Sequence, residues 1–215
     1  MTGKNNDFYA DMLTNLGMIA TVQGKYDIGE SYLIDSLKIK EKFADKNKDN
    51  LITNYVGLGM LYMFINSYDK AEEYLKKYSM IARKEFGEAS LGYADSINML
   101  GMISGAKNEY DRQFELSEKI IKIYENLGNT SADGYVRGLF NMASSSFKLG
   151  NIEKAKSILE KLLNHPDKAH RGSVHGLLAE INISLNNFDT AERHMQKFLE
   201  LTSDYMGENH TAYAG

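Results

Sequence analysis

Cysteine is absent from the 215 residues, and its absence removes disulfides, thiolate zinc sites and cysteine nucleophiles together. A cysteine-free chain fits a reducing compartment, so a cytoplasmic location is expected. Proline occurs once, at Pro166, which suits long uninterrupted helices, because proline breaks them. No apolar run approaches the roughly 20 residues of a membrane span, and the opening stretch MTGKNNDFYA lacks the apolar core of a signal peptide. No membrane contact is expected. Positive charge is not in excess either. A formal net charge of -4 gives no electrostatic reason to expect nucleic acid, which needs clustered Lys and Arg. The densest basic run, Lys38 to Lys48, is interleaved with Glu41, Asp45 and Asp49 and reads as a solvated helix end.

Chemistry-bearing motifs are missing as well. There is no phosphate loop of the G-x-x-x-x-G-K type and no G-x-G-x-x-G after a strand. The histidines are His165, His170, His175, His194 and His210. His170 and His175 stand five apart, off the three- or four-residue spacing that puts two ligands on one helix face. They are assigned to surface or packing roles and no metal is expected. Glu72, Glu73 and Glu153 sit along helix faces as solvated charges do. The chain reads as a non-enzyme without a cofactor. What is present is an ordinary globular balance, 43% apolar and 25% charged, in a chain long enough to bury a substantial core.

The informative feature is a repeat. Leu16-Gly17-Met18 returns as Leu58-Gly59-Met60 and Leu100-Gly101-Met102, 42 residues apart each time. Met142-Ala143 follows after 42 more, and Leu178-Ala179 after 36. A second marker keeps the same register: GKYD from Gly24, NSYD from Asn66, NEYD from Asn108, GNIE from Gly150 and NNFD from Asn186. Gly or Asn at its start tolerates the left-handed conformation that closes a helix. The Asp or Glu that follows suits the positive end of a new helix. Each unit is therefore helix, tight turn, helix. First helices are predicted near 8–23, 50–65, 92–107, 133–149 and 168–185, and second helices near 26–43, 68–85, 109–127, 151–163 and 188–206.

Tyr55-x2-Leu58-Gly59-x2-Tyr62, followed by Ala71-x3-Leu75, resembles the tetratricopeptide repeat, whose pattern is W-x2-L-G-x2-Y and then A-x3-F. The period of 42 resembles the longer variety found in kinesin light chains and in many bacterial arrays. The resemblance implies an all-α fold, a right-handed superhelical solenoid of antiparallel helix pairs. It would run as one array over 1–215, with repeats at 8–49, 50–91, 92–132, 133–167 and 168–208 and the start of a sixth at 209–215. It also implies a close crossing within each pair, at Gly17, Gly59, Gly101, Ala143 and Ala179. Gly17 would face Gly29, Gly59 would face Ala71, Ala143 would face Ala155 and Ala179 would face Ala191. The third unit departs from the pattern, with Gln113 and Ser117 where alanine and a large apolar residue belong. Its second helix is expected to pack loosely or to shift register.

FGEASLGYAD from Phe86 matches MGENHTAYAG from Met206 at an offset of 120, so the chain is expected to be a segment of a longer protein. In repeats of this kind the first helices line the concave face, and residues three and four apart share a face. The partner groove is expected to take Asn15, Met18, Val22, Met60, Met63, Phe64, Asn98, Met102, Asn141 and Phe147. Methionine suits surfaces that adapt to a bound segment. In related repeats an asparagine just before the Leu-Gly pair holds an extended peptide backbone. Asn15 and Asn141 occupy that place, Asn98 is one residue off, and the second unit has Gly57 instead.

The function expected from the resemblance is a protein–protein interaction scaffold that binds a partner peptide or helix in this groove. A second reading is the regulatory array of a larger protein, such as a caspase-like CHAT protease or a nucleotide-switched signalling protein. A third is a peptide-pheromone sensor.

Overall fold

The computed structural model describes residues 7–42 and 49–206, and these contain ten α-helices and no strand. The chain divides into two compact units, Met1–Asn108 and Glu109–Gly215. The division falls at the turn inside the third repeat. The expected start of a sixth repeat, at 209–215, lies outside the described residues.

The first unit holds α1 (Asp7–Val22), α2 (Tyr26–Glu41), α3 (Asp49–Phe64), α4 (Tyr68–Phe86) and α5 (Leu91–Ala106). Each helix packs on the next, and α1 also reaches α3. The interior is built from Leu33, Leu58, Leu61, Leu75 and Ile103, all fully buried. The second unit holds α6 (Tyr110–Asn126), α7 (Asp133–Lys148), α8 (Ile152–Leu162), α9 (Lys168–Ser184) and α10 (Phe188–Met206). Here too each helix packs on the next, and α7 also reaches α9. Ile158, Leu159 and Leu162 of α8 share one core cluster with Val174, Leu178 and Ile181 of α9.

The turns explain the spacing of the second marker. Gly24, Asn66, Asn108, Gly150 and Asn186 all have positive φ, between 57° and 85°. After four of them the next amide donates back across the helix end: Lys25 to the Ala20 carbonyl, Ser67 to Tyr62, Asn151 to Ser146 and Asn187 to Asn182, at 2.8–2.9 Å. This six-to-one bond satisfies a carbonyl that the helix end would otherwise leave open. The second helices α2, α4, α6 and α8 start without a side-chain cap. Each carries Asp or Glu in its first turn instead, at Asp27, Asp69, Asp111 and Glu153, where the helix dipole favours negative charge.

At Gly17 and Gly59 the neighbouring helix leaves no room for a side chain. A Cβ added at Gly17 would lie 2.6 Å from Leu33 Cγ and 3.0 Å from the Gly29 carbonyl oxygen. At Gly59 the nearest atoms belong to Leu75, at 2.6 and 2.7 Å, rather than to Ala71. Gly101, Ala143 and Ala179 are buried, as are Ala71, Ala155 and Ala191.

Two charged side chains differ from the solvated reading of the sequence. Lys40, within the basic run, is 2% exposed and its ammonium pairs with Asp11 at 2.7 Å. Glu72 is buried and binds Lys76 at 2.8 Å and Lys107 at 2.9 Å. Lys107 follows α5 and also reaches Asp69 at 3.0 Å. Spacing along one helix could not reveal these partners, which come mainly from neighbouring helices. Gln113 in the third unit is buried, and its Oε1 has no hydrogen-bond partner among the described residues.

Candidate functional site

The first helices α1 and α3 lie side by side in the first unit. Residues one turn apart on each helix meet across the seam. Met18, Thr21 and Val22 of α1 and Gly57, Met60 and Phe64 of α3 line a shallow cleft of about 20 Å³, room for roughly one water molecule. Gly57 is what lets the seam close. A Cβ there would sit 2.8 Å from Leu33 Cδ2 and 3.5 Å from Met18 Cγ. The Thr21 hydroxyl donates to the Gly17 carbonyl at 2.8 Å, so it is already satisfied and the lining is apolar in character. Met18 and Met60 are half-buried, while Val22 and Phe64 are exposed. Phe64 is braced by Tyr26, whose ring stacks on it at 6.4 Å between centroids.

The structure thus brings four of the predicted groove residues together: Met18, Val22, Met60 and Phe64. Asn15 is exposed on α1, Met63 is half-buried on α3 and Met102 is exposed on α5. Asn98 is 3% exposed, so its amide does not face solvent. The other two stand in the second unit. Asn141 is half-buried, with its carbonyl accepting from the Ser145 hydroxyl at 2.8 Å. Phe147 rests against the core cluster of that unit, and Lys148 Nζ lies 5.1 Å from its ring centre.

Two groupings were not evident from spacing. The first is an aromatic patch on α3 and α4. Tyr62 and Tyr74 stack at 5.7 Å, Tyr55 lies 6.2 Å from Tyr74, and Lys70 and Lys77 approach the Tyr62 and Tyr74 rings at 5.0 Å. The Tyr62 hydroxyl donates to Glu30 of α2. Burial, then that bond, holds the Tyr62 phenol well above the ordinary tyrosine range. Tyr55 and Tyr62 belong to the repeat motif itself, and Tyr74 repeats Tyr32 at the same 42-residue interval outside that motif. The second grouping joins His175 of α9 to His194 of α10, Nδ1 to Nδ1, at 2.9 Å. Burial depresses both imidazoles below the usual histidine value. The two are nineteen residues apart, which no single-helix spacing rule detects. Among the described residues no group of three or more His, Cys, Asp or Glu is placed to hold a metal ion. None of their helices is long and apolar enough to cross a membrane.

This arrangement of paired helices and left-handed turns agrees with the family models. Tetratricopeptide-repeat models match residues 8–84 and 137–167, together about half of the chain. No curated protein matches the sequence. Among solved structures, BtubC (BKLC) from P. vanneervenii is similar at a TM-score of 0.74 and 17% identity, over 95% of this chain and 84% of that one. The nearly identical TPR-like repeats of a Podosopora anserina kinesin-light-chain candidate give 0.72 and 13% identity, over 94% and 99%. The MamA protein gives 0.58 and 19%, over 94% and 96%. At these identities the likeness is one of fold.

Proposed function

We propose that this chain, which belongs to the tetratricopeptide-repeat family, is a non-enzymatic scaffold that holds an apolar peptide or helix of a partner protein in the seam between α1 and α3. The observation that supports this most is the convergence of Met18, Val22, Met60 and Phe64 on one shallow apolar cleft. Partner side chains would cover the exposed Val22 and Phe64, each fully buried anchor contributing about 1.5–3 kcal/mol. Two thioether side chains let the floor adjust to the shape that arrives. Asn15, exposed on the same helix, would bond the partner's backbone and set its register. Met63 and Met102 extend the apolar character along the first helices. Asn141 and Phe147 are the corresponding positions of the second unit. A cysteine-free chain performs this role without redox dependence, as a cytoplasmic scaffold would.

The test is capture of a partner from the source lysate by the immobilised chain, compared with a Met60→Asp/Phe64→Ser variant of equal helical circular dichroism. Loss of the captured protein in the variant is expected. Equal capture by both forms would reject the seam as the site.

A further inference from the structure

The outer face of α1 carries an apolar ladder at helical spacing: Phe8, Met12, Leu16 and Ile19, between 41% and 71% exposed. The repeat register shows what such a face does elsewhere in the molecule. In the later first helices, the positions of Leu16 are Leu58, Leu100, Met142 and Leu178, all at most 9% exposed. The positions of Ile19 are Leu61, Ile103, Ser145 and Ile181, all 0% exposed. A second helix of the preceding repeat covers that face each time: α2 on α3, α4 on α5, α6 on α7 and α8 on α9. α1 therefore presents one half of a repeat-to-repeat junction.

The other half stands on α10. Met195 and Leu199 are 41% and 39% exposed, and Phe188 is 62% exposed. The positions of Met195 in the earlier second helices are Leu33, Leu75, Ser117 and Leu159, all 0% exposed. Leu33 shows why this position is covered on both sides. It meets Gly17 of its own repeat at 2.6 Å and Gly57 of the next at 2.8 Å, each measured to an added Cβ. The polar edge has a counterpart too. Glu192 is in register with Glu30 and Glu72, which take the Tyr62 hydroxyl and the Lys107 ammonium from the following first helix and its cap. At the Lys107 position α1 is followed by Gln23, held by Lys25 at 2.9 Å, so amide and ammonium donors wait opposite a carboxylate.

We propose that a second copy of this chain covers the α1 face with its own α10 face, so that copies join end to end as consecutive repeats do. The two faces are different surfaces, which makes the contact heterologous, head to tail rather than isologous. Nearest-neighbour junctions are the unit of stability in repeat proteins, and here the same junction would serve between molecules. Partner capture by Met18, Val22, Met60 and Phe64 of the α1–α3 seam is a separate property of the chain, and position 15 alone borders both surfaces.

The experiment is sedimentation velocity on the 215-residue chain over a hundredfold concentration range, with two variants: Leu16→Glu/Ile19→Glu and Met195→Glu/Leu199→Glu. The unaltered chain is expected to grow with concentration, and each variant alone to stay monomeric. Mixing the two variants restores one intact junction and is expected to give a 1:1 dimer and nothing larger. A chain that remains monomeric throughout, variants that still associate, or a mixture that does not pair would overturn the proposal. Should a variant lose helicity, Asn15→Cys/Met195→Cys in this otherwise cysteine-free chain replaces it. Position 15 is in register with Gly57, which meets Leu33, so oxidation is expected to yield a ladder of disulfide-linked oligomers. A single monomer band would overturn the proposal equally.

Discussion

The hydroxyl of Thr14 on α1 donates to Oδ1 of Asn54 on α3 at 3.0 Å, in a site where neither residue is more than 1% exposed. Ser36 of α2 sits between them, 2.8 Å from Thr14, and donates to the Ala10 carbonyl at 2.6 Å. Asn54 Nδ2 donates onward to the Leu33 carbonyl at 3.1 Å. Each hydroxyl has one proton: Thr14 gives its own to Asn54, and that of Ser36 is shared between the Ala10 carbonyl and the Thr14 oxygen. Three helices from two repeats are therefore joined by a satisfied polar network in an otherwise apolar interior.

Removing one member leaves the others short of a partner, which costs about 1–3 kcal/mol per buried group. Asn54→Leu is expected to lower urea stability by that amount. Thr14→Val combined with it is expected to cost less than the two separately, since the pair is lost only once. Strictly additive losses would show that the network is not coupled.

The His175–His194 bond requires one ring to donate and the other, neutral, to accept. Burial lowers both folded values below the ordinary 6.5, with Arg171, Lys197 and Arg193 adding to the effect and Glu200 opposing it at His175. In that window the unfolded chain binds more protons than the folded one, so stability falls as pH falls. The contribution is fully present above pH 6.5 and declines below it. The melting temperature is expected to drop between pH 7.5 and 5, and to drop less in His175→Gln/His194→Gln. Equal pH profiles would show that the pair does not titrate with unfolding.

The helices were legible because their stops are chemical. Gly24, Asn66, Asn108, Gly150 and Asn186 recur in fixed register, and every predicted helix end falls within two residues of the observed one. The exposed apolar face of α1 was not recognised, because Leu16 and Leu58 are the same letter in the same motif. Only packing distinguishes a covered leucine from an open one. The buried Glu72 and Lys40 were misread for a related reason: charge on one helix says nothing about a cation or carboxylate brought by another. Of the groove residues, Met18 and Met60 share a register and so meet across adjacent first helices. Asn98 stands one place away, and a shift of one residue on a helix turns the side chain by about 100°, which is enough to take it from surface to interior.

The close approaches at Gly17 and Gly59 differ in what confronts an added methyl. Alanine gains about 1 kcal/mol of helix propensity over glycine, but overpacking costs about 1–3 kcal/mol, so both substitutions are expected to destabilise. At Gly59 only Leu75 side-chain atoms intrude, whereas at Gly17 the Gly29 carbonyl stands behind Leu33. Leu75→Ala is therefore expected to relieve part of the Gly59→Ala cost, and Leu33→Ala to relieve less of the Gly17→Ala cost. Calorimetric double-mutant cycles measure both couplings, and equal couplings would mean that the backbone yields as readily as a side chain.

Gly24 isolates the backbone term, since its φ is +74° and nothing lies within 4 Å of an added Cβ. The left-handed conformation costs an ordinary L-residue about 1–2 kcal/mol, and asparagine less because its amide bonds locally. Asn66, Asn108 and Asn186 already hold the same turn at φ of 57–61°. Gly24→Asn is accordingly expected to change urea stability by no more than about 0.5 kcal/mol, Gly24→Ala to cost about 1 kcal/mol, and Gly24→Val to cost more because a branched Cβ fits this region worst. The turn is solvent-exposed, so no packing change accompanies the series and the order reads conformation alone. If alanine and valine matched asparagine, the chain would have another way to close α1, and the constancy of Gly or Asn at all five turns would need a different cause.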